Sequence, residues 1–249
     1  KFQLADSTRG YGIIVKDVDT RYVVQGDKAN WPYLLPLDRS AIDVFYATQK
    51  YYDFLKSRFN RNSLDGHGFR LNANVKQFLF NNAYWDGLET SFGGGDCYSF
   101  NPFTYIDIVG HEFTHGLIQF TADLDYYGES GALNESISDI FGKALEYEVH
   151  PQTFSWDLGG KVSKDSTSFF RSMRNPNDQM HPKYYKGKYW EDSGFFGIDL
   201  HVNNGVFNFW FYLLSEGKNA VNEKNVRYDV KKIGIDKALN IVYHALVNY

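Results

Sequence analysis

The stretch 107-DIVGHEFTHGLI-118 decides how this chain is organised. It is otherwise apolar, yet His111 and His115 stand four residues apart with Glu112 between them. On an α-helix, positions i and i+4 lie one turn apart on the same face, so the two imidazoles converge on one point and form a candidate zinc site. Glu112 points about 100° away from His111, where it can flank a metal and take a proton from bound water. The alternative is a helix whose two histidines are hydrogen-bonded in the core.

A second pair of polar residues follows in GALNESISDIFG at 131–142. Glu135 and Asp139 are again four residues apart, on the polar stripe of an otherwise apolar helical pattern. Buried acids are costly unless they are paired or bound to a cation. Glu135 can therefore complete a three-ligand zinc site, and Asp139 can accept a hydrogen bond from the outer nitrogen of a ligating histidine. The alternative is an exposed helix face that carries ordinary acids.

The composition excludes several classes of protein. The 249 residues are enough for one large domain or two lobes around a cleft, and 43% hydrophobic and 18% aromatic residues argue against disorder. The net charge of -4 gives no sign of a nucleic-acid partner. Cys97 is the single cysteine, which excludes an intrachain disulfide and a cysteine-based zinc cluster. No apolar run approaches the length of a membrane span and no signal peptide opens the chain, so we expect a soluble, mature chain or a fragment.

The pattern of apolar residues changes along the chain. Segments 10–27 and 69–85 predict strands, the first with a hairpin, and 40–59 predicts a helix that begins with a capping box at Ser40 and Asp43. After residue 105, four segments show helical spacing. They contain IDIVGHEFTHGLIQF, ALNESISDIFGKALEYEV, VFNFWFYLLSEG and GIDKALNIVYHALVNY. A β-rich first part and a helical second part predict an α+β chain with two lobes.

HEFTH followed by GALNESISD resembles the thermolysin family of zinc metalloendopeptidases. Further similar motifs occur in the same order: STRGYGI at 7–13, NNAYW at 81–85, YGESGALNE at 127–135, FRSM at 170–173 and LHVNNG at 200–205. The resemblance implies a two-lobe fold with the active-site cleft between the lobes. A β-rich lobe over 1–126 would end in the HExxH helix, and a mainly helical lobe would cover 127–249. The chain is expected to be shorter than the family at both ends, and the family implies secretion.

The resemblance also implies residue roles. The zinc ligands would be His111, His115 and Glu135, the general base Glu112, and the donors to the oxyanion Tyr126 and His201. Asn82 and Ala83, on a sheet edge, would bind the substrate backbone, and Arg171 would hold a substrate carbonyl. A hydrophobic pocket just past the scissile bond would be lined by Phe100, Phe103, Ile108, Leu158, Val162 and Phe170. The alternative for its phenylalanines is ordinary core.

Two parts of this implied site are less regular. The family binds calcium through acids at the positions of Asp107, Glu146 and Asp157, which predicts one structural calcium ion; Asp107 could equally be a helix-start acid. Asp192 precedes His201 by nine residues and Asp199 precedes it by two. Either aspartate could orient the imidazole. The alternative is that the lengthened segment SGFFGID carries His201 away from the zinc.

The sequence thus predicts a zinc-dependent endopeptidase acting on protein or peptide substrates, as a secreted monomer. An apolar pocket predicts cleavage before a hydrophobic residue, with medium side chains such as Leu preferred over Trp. Two alternatives stay open. One is a zinc exopeptidase, for which no acidic motif that could capture a free amino terminus is found. The other is a catalytically impaired homologue that acts as a binding or toxin component; the intact Glu112 argues against it.

Overall fold

A computed structural model describes residues 2–26, 36–75, 79–96, 98–165, 167–192 and 199–248. Cys97 and most of the lengthened segment before His201 (193–198) lie outside the described residues. The described helices are α1 (Pro36–Phe59), α2 (Ile106–Gln119), α3 (Gly128–Val149), α4 (Leu200–Asn203), α5 (Gly205–Glu216) and α6 (Ile235–Asn248). The described strands are β1 (Phe2–Gln3), β2 (Ala5–Asp6), β3 (Ile13–Asp17), β4 (Gln25–Gly26), β5 (Leu71–Val75), β6 (Ala83–Trp85), β7 (Thr90–Phe92), β8 (Asp157–Leu158), β9 (Arg171–Ser172), β10 (Lys218–Val221) and β11 (Arg227–Val230).

Five of these strands form the main sheet, in the order β2-β3-β5-β7-β6. The central pairs β3/β5 and β5/β7 are parallel, whereas the outer pairs β2/β3 and β6/β7 are antiparallel. Because β6 pairs only with β7 in this order, it is one of the two edge strands of the sheet, and β2 is the other. An edge strand has backbone N–H and C=O groups without a partner strand. In β6 these groups lie near helix α2. The predicted α+β class, with an N-terminal sheet before a mainly helical part, is confirmed.

Helix α1 covers one face of the sheet and joins it to α2. Its residues Val44, Tyr51 and Leu55 recur at helical spacing and are fully buried. The ring of Tyr51 stacks on Phe113 of α2 at 5.8 Å, and its hydroxyl lies 2.9 Å from Thr114 Oγ1. The buried hydroxyl is thus satisfied, and each fully buried large apolar side chain contributes about 1.5–3 kcal/mol. This packing fixes the rotation of α2 and hence the direction of its polar residues.

Helices α2 and α3 cross closely, and two glycines permit the approach. A Cβ atom on Gly142 would lie 2.3 Å from the backbone oxygen of Asp107. A Cβ atom on Gly110 would lie 3.0 Å from the Cα of Gly142. Any side chain at position 142 would therefore push the helices apart. The crossing brings the polar stripe of α3 against the two histidines of α2.

One local prediction needs correction, and another is borne out in a shorter form. Helix α1 begins at Pro36, not at Ser40, because proline suits the first helical turn, and Ser40 is a buried residue inside the helix. The predicted hairpin at 10–27 is present but short: Lys16 bridges Val23, and Asp17 N and Val24 N donate to Tyr22 O and Val15 O at 3.0 Å. Beyond this hairpin, strand β4 pairs with β1, and β3 pairs in parallel with β5.

The later helices agree with the sequence pattern. Helix α5 ends at Glu216, and Gly217 follows with a φ of 73°, a conformation that glycine adopts without strain. Helix α6 buries Ala238, Leu239, Val242 and Leu246 on one face. Within the described part of the chain, no helix is both long and apolar enough to cross a membrane.

Candidate active site

Three side chains from α2 and α3 converge on one point. The Nε2 atoms of His111 and His115 lie 3.1 Å apart. Glu135 Oε2 lies 3.4 Å from Nε2 of His111, and Glu135 Oε1 lies 3.6 Å from Nε2 of His115. Four tetrahedral ligands with bonds of about 2.1 Å stand about 3.4 Å from one another, so this donor set fits zinc in ligand type and in spacing.

An unsatisfied atom supports the same assignment. Glu135 is fully buried, and its Oε2 has no hydrogen-bond partner among the described residues. It lies 3.4 Å from His111 Nε2 and 3.3 Å from His201 Nε2, but neither nitrogen is aligned to donate to it. A buried carboxylate oxygen without a partner is costly, and a cation bound between these atoms would satisfy it.

The outer nitrogen of each histidine has a polar neighbour that turns Nε2 toward this point. His111 Nδ1 lies 2.8 Å from Asp139 Oδ1. His115 Nδ1 lies 2.7 Å from Asn134 Oδ1 and 3.2 Å from Ser138 Oγ. Since Asn134 Oδ1 only accepts, Nδ1 of His115 carries the proton and Nε2 keeps its lone pair for a metal.

Asp139 is held by a second layer of donors. Arg171 donates to both of its oxygens, from Nε at 2.7 Å and from Nη2 at 2.6 Å. Asn204 and Asn208 donate to Oδ2 at 3.0 and 2.8 Å. This network fixes a fully buried carboxylate behind His111 and stabilises its charge.

The sequence interpretation missed Asn134, Asn204 and Asn208. A signal was present, because Asn204 and Asn208 stand four residues apart at the start of the otherwise apolar α5. Such a pair on one helix face indicates a shared buried acceptor. The role predicted for Arg171, holding a substrate carbonyl, stays a prediction. The structure commits two of its nitrogens to Asp139 while the residue still borders the cleft.

The electrostatics of the site favour a positive charge between the ligands. Burial alone would lower the pKa of His111, but the carboxylates of Asp139 and Glu135 outweigh it and raise that pKa to about 10. Burial and the charge on His111 lower the pKa of His115 to about 4. Burial opposes ionisation of Glu135, yet its histidine neighbours hold its pKa well below the usual range. A divalent cation at this point would take the place of the proton on His111.

Glu112 lies beside the three candidate ligands His111, His115 and Glu135. One of its oxygens lies within 4.8 Å of a ring nitrogen of His111 and of His115. The side chain is buried, and burial raises its pKa to about 7. A carboxylate with a pKa near neutrality can both take up and release a proton, which suits a general base.

Tyr126 and His201 reach the same point from other elements. The hydroxyl of Tyr126, just before α3, donates to Glu135 Oε1. His201, on α4, places Nε2 3.3 Å from Glu135 Oε2. The lengthened segment therefore does not carry His201 away. Both groups stand where they could donate to a substrate oxygen near the metal.

Asp199, and not Asp192, contacts His201. Asp199 Oδ1 lies 3.3 Å from His201 Nδ1 and accepts a hydrogen bond from the backbone nitrogen of the same residue at 2.9 Å. Asp192 accepts a hydrogen bond from the indole nitrogen of Trp190 at 3.1 Å. The pairing follows from local geometry, since a residue at the N-cap of a helix bonds to the first turn.

A cleft of about 660 Å³ opens in front of these residues. Its lining includes the candidate ligands, Glu112, Tyr126, His201 and Arg171, together with Asn82 and Ala83 at the start of edge strand β6. Of the predicted pocket residues, Phe103, Ile108 and Phe170 border the cleft. The rings of Phe103 and Phe170 stack at 5.6 Å.

The other three predicted pocket residues lie behind the first layer of the cleft wall, and their role in the pocket stays a prediction. Phe100, Leu158 and Val162 do not border this cleft. Leu158 and Val162 are buried in the core, and Phe100 supports the two lining rings at 5.7 and 6.0 Å. Apolar residue type does not separate a pocket wall from the layer behind it, which only the packing decides.

The acids predicted for calcium do not form an open oxygen cage. The ammonium group of Lys143 contacts Glu146 Oε2 and lies 3.7 Å from Asp107 Oδ2. Asp157 offers its backbone oxygen to Lys143 at 3.1 Å. Its carboxylate turns away and accepts from Ser172 at 2.7 Å. Calcium needs six to eight oxygens around one position, and here a lysine cation occupies it, so these residues do not fit the ion.

Comparison with known proteins agrees with the fold and the site. Residues 1–119 match "Thermolysin metallopeptidase, catalytic domain", and residues 122–249 match "Thermolysin metallopeptidase, alpha-helical domain". Bacillolysin of Bacillus caldolyticus and thermolysin of Alicyclobacillus acidocaldarius subsp. acidocaldarius are each 35% identical over 100% of this chain and 45% of the relative. The precursor of protealysin, a metalloproteinase from Serratia proteamaculans, superposes with a TM-score of 0.77 at 26% identity, over 95% of this chain and 74% of that chain.

The chain belongs to the thermolysin metallopeptidase family. Its thermolysin-like fold is confirmed by the two matched domains and by the protealysin precursor. The chain spans less than half of the length of the curated relatives, 45% in each of the two cases above. The family is zinc-dependent, in agreement with the two histidines and the glutamate that gather in α2.

Proposed function

We propose that this protein is a zinc-dependent endopeptidase that hydrolyses internal bonds of protein or peptide substrates. The observation that carries the proposal is the convergence of His111, His115 and Glu135 at ligand spacing, with Glu112 beside them. Zinc held there would lower the pKa of a bound water and polarise a substrate carbonyl. The proposal applies to the whole active protein, of which this chain covers the matched part.

Other residues of the chain transfer the proton, stabilise the oxyanion and bind the substrate. Glu112 takes a proton from the attacking water and passes it to the leaving amine. Tyr126 and His201 donate hydrogen bonds to the oxygen that gains negative charge. Edge strand β6 receives the substrate as an added strand through Asn82 and Ala83, which binds backbone without selecting a side chain. Arg171 borders the cleft and holds a substrate carbonyl.

Cleavage preference then depends on the apolar wall of the cleft. Phe103, Ile108 and Phe170 favour a hydrophobic side chain after the scissile bond. The two stacked phenylalanine rings reduce the space beside this wall. Substrate side chains of medium size, such as Leu, are therefore preferred over Trp. Moving apolar surface of the substrate from water into the cleft contributes about 25 cal/mol per Å² to the binding free energy.

Other properties are proposed on family grounds. We propose a secreted monomer and a division into lobes at residues 126 and 127, because the sheet precedes that point and α3 begins at Gly128. Calcium at Asp107, Glu146 and Asp157 is not proposed, because Lys143 lies among their oxygens.

The test uses a peptide blocked at both ends with one Phe-Leu bond inside it. The zinc-loaded chain should cleave before Leu, chelation should abolish cleavage, and added zinc should restore it. Cleavage only of peptides with a free terminus would indicate the exopeptidase alternative. Stoichiometric zinc without hydrolysis of the blocked peptide or of casein would indicate the binding-component alternative.

A further inference from the structure

The deepest charged cluster outside the cleft surrounds Lys143. This lysine is fully buried, although lysine is almost never fully buried unless it is paired. Its ammonium group has three N–H donors and three oxygen neighbours: Glu146 Oε2, Asp157 O and Asp107 Oδ2. The ring of Phe154 covers the ammonium at 5.2 Å. Glu146 Oε2 and Asp157 O accept hydrogen bonds from the ammonium group, Asp107 Oδ2 forms an ion-pair contact at 3.7 Å, and an aromatic face closes one side of the site.

The cluster joins the helices that carry the proposed zinc ligands. Asp107 lies one turn before His111 on α2, and Lys143 lies two turns after Glu135 on α3. Asp107 Oδ2 also accepts a hydrogen bond from the backbone nitrogen of Gly159 at 3.1 Å, which ties in the segment after β8. One cation thus holds α2, α3 and β8 together.

The two acidic side chains around the Lys143 ammonium require a cation at this position. Asp107 and Glu146 are both buried carboxylates, and without a cation they would repel each other in a medium of low dielectric constant. Burial and the neighbouring Asp107 raise the pKa of Glu146 to about 7, even with the ammonium in contact. A divalent ion and a lysine ammonium are two ways to satisfy the same pair of acids.

We propose that the ammonium group of Lys143 is a built-in structural cation that takes the place of calcium and makes the fold independent of calcium. The side chain reaches the position from inside α3, so no ion has to be captured from solution. The proposal does not depend on the peptidase activity, because it concerns the joint between α2, α3 and β8.

The first test compares thermal unfolding of the zinc-loaded chain in calcium-free buffer, in CaCl₂ and in MgCl₂. Salt at about 10 mM exceeds the Kd of weak calcium sites, about 10⁻⁴ to 10⁻³ M. The Tm in CaCl₂ should stay within about 2 °C of the Tm in MgCl₂. A calcium-specific rise above about 2 °C overturns the proposal. Repeating the scan with Glu112→Gln removes any effect of self-digestion.

The second test creates the calcium requirement. Lys143→Ser removes the ammonium and leaves space and one more oxygen. Its Tm should fall in calcium-free buffer, and CaCl₂ should restore it by more than about 2 °C relative to MgCl₂. An unchanged Tm, or a loss that CaCl₂ does not reverse, overturns the proposal. The matched control is Lys161→Ser, at an exposed lysine near the cluster, which should show no calcium response.

The proposal can be tested even if the Lys143→Ser variant does not fold in calcium-free buffer. If Lys143→Ser is unfolded in calcium-free buffer, it is refolded with CaCl₂ or with MgCl₂, and far-ultraviolet circular dichroism is recorded. Recovery with CaCl₂ alone supports the substitution of one cation by the other. Failure to recover with CaCl₂ overturns it.

Discussion

His201 Nδ1 lies 3.3 Å from Oδ1 of Asp199, the residue that caps the same short helix. One carboxylate therefore both starts α4 and contacts the imidazole, whose Nε2 lies 3.3 Å from Glu135 Oε2. Asp199 and His201 are both about half exposed, so the pair is weaker than a buried one. The contact orients His201 and contributes little to stability.

Loss of this orientation should reduce turnover less than loss of the imidazole. We expect His201→Ala to lower kcat by about 10²- to 10³-fold with a modest change in KM, as for removal of one oxyanion donor. Asp199→Asn should lower kcat by about tenfold or less, because His201 remains. Steady-state kinetics on the blocked peptide measure both effects.

Asp192→Asn is the control for this series, because Asp192 bonds to Trp190 and not to His201. It should retain the kinetics of the unmodified chain. Kinetics of His201→Ala equal to those of the unmodified chain would leave Tyr126 as the sole proposed oxyanion donor.

Substitutions of Glu112 and Glu135 should have different effects, because the first residue is proposed to transfer a proton and the second to bind zinc. Glu112→Gln should lower kcat by at least about 10²-fold and keep zinc, because it removes the base and no ligand. Glu135→Ala should lose zinc, because two histidines remain of three ligands. Metal analysis after dialysis, together with peptide hydrolysis, checks both variants.

Loss of zinc from Glu112→Gln would contradict its role as base, and a fully metallated, active Glu135→Ala would remove Glu135 from the ligand set. Glu129→Ala is a control, since Glu129 is on α3 but bonds to Tyr185. It should keep both zinc and activity.

Phe170 should limit the size of the side chain that the cleft accepts. Phe170→Ala removes one of the two stacked rings and enlarges the wall of the cleft. The ratio of kcat/KM for Phe to kcat/KM for Leu after the scissile bond should rise about tenfold or more. A peptide library with that position varied measures the change.

Phe100→Leu is the matched control, because Phe100 supports the rings without bordering the cleft. It should change the ratio less than Phe170→Ala. A preference for charged residues in the unmodified chain would contradict the assignment of the pocket.

Asp6 should make the stability of the N-terminal strands depend on pH. Partial burial would raise the pKa of Asp6, but hydrogen bonds from Thr8, Gln49 and Arg9 outweigh burial and hold the pKa below its usual range. A lowered folded pKa contributes stability above the unfolded pKa of about 3.9, and that stability is lost as the pH falls through the folded value. Asp6→Asn should therefore lose about 1–3 kcal/mol at neutral pH, and its deficit should shrink below about pH 4.

Urea unfolding at pH 7 and pH 3 measures the deficit of Asp6→Asn. The exposed Asp19 supplies the control, since Asp19→Asn should change stability little at either pH. A deficit of Asp6→Asn that grows on acidification would contradict the sign of the pKa shift.

The sequence by itself determined the ligand-bearing helices. Spacings of four residues in α2 and α3 are local, and a helix of 3.6 residues per turn converts them directly into a shared face. The pattern therefore placed His111 with His115 on one face of α2 and Glu135 with Asp139 on one face of α3. The glycines at 110 and 142 permit the close crossing of the two helices.

Only the tertiary structure decided which distant groups meet. Asp199 rather than Asp192 contacts His201, and Asn204 and Asn208 share the carboxylate of Asp139. The Lys143 ammonium lies among the acids predicted to bind calcium. These contacts depend on how separate elements pack, and packing distances are not encoded in any local period of the sequence.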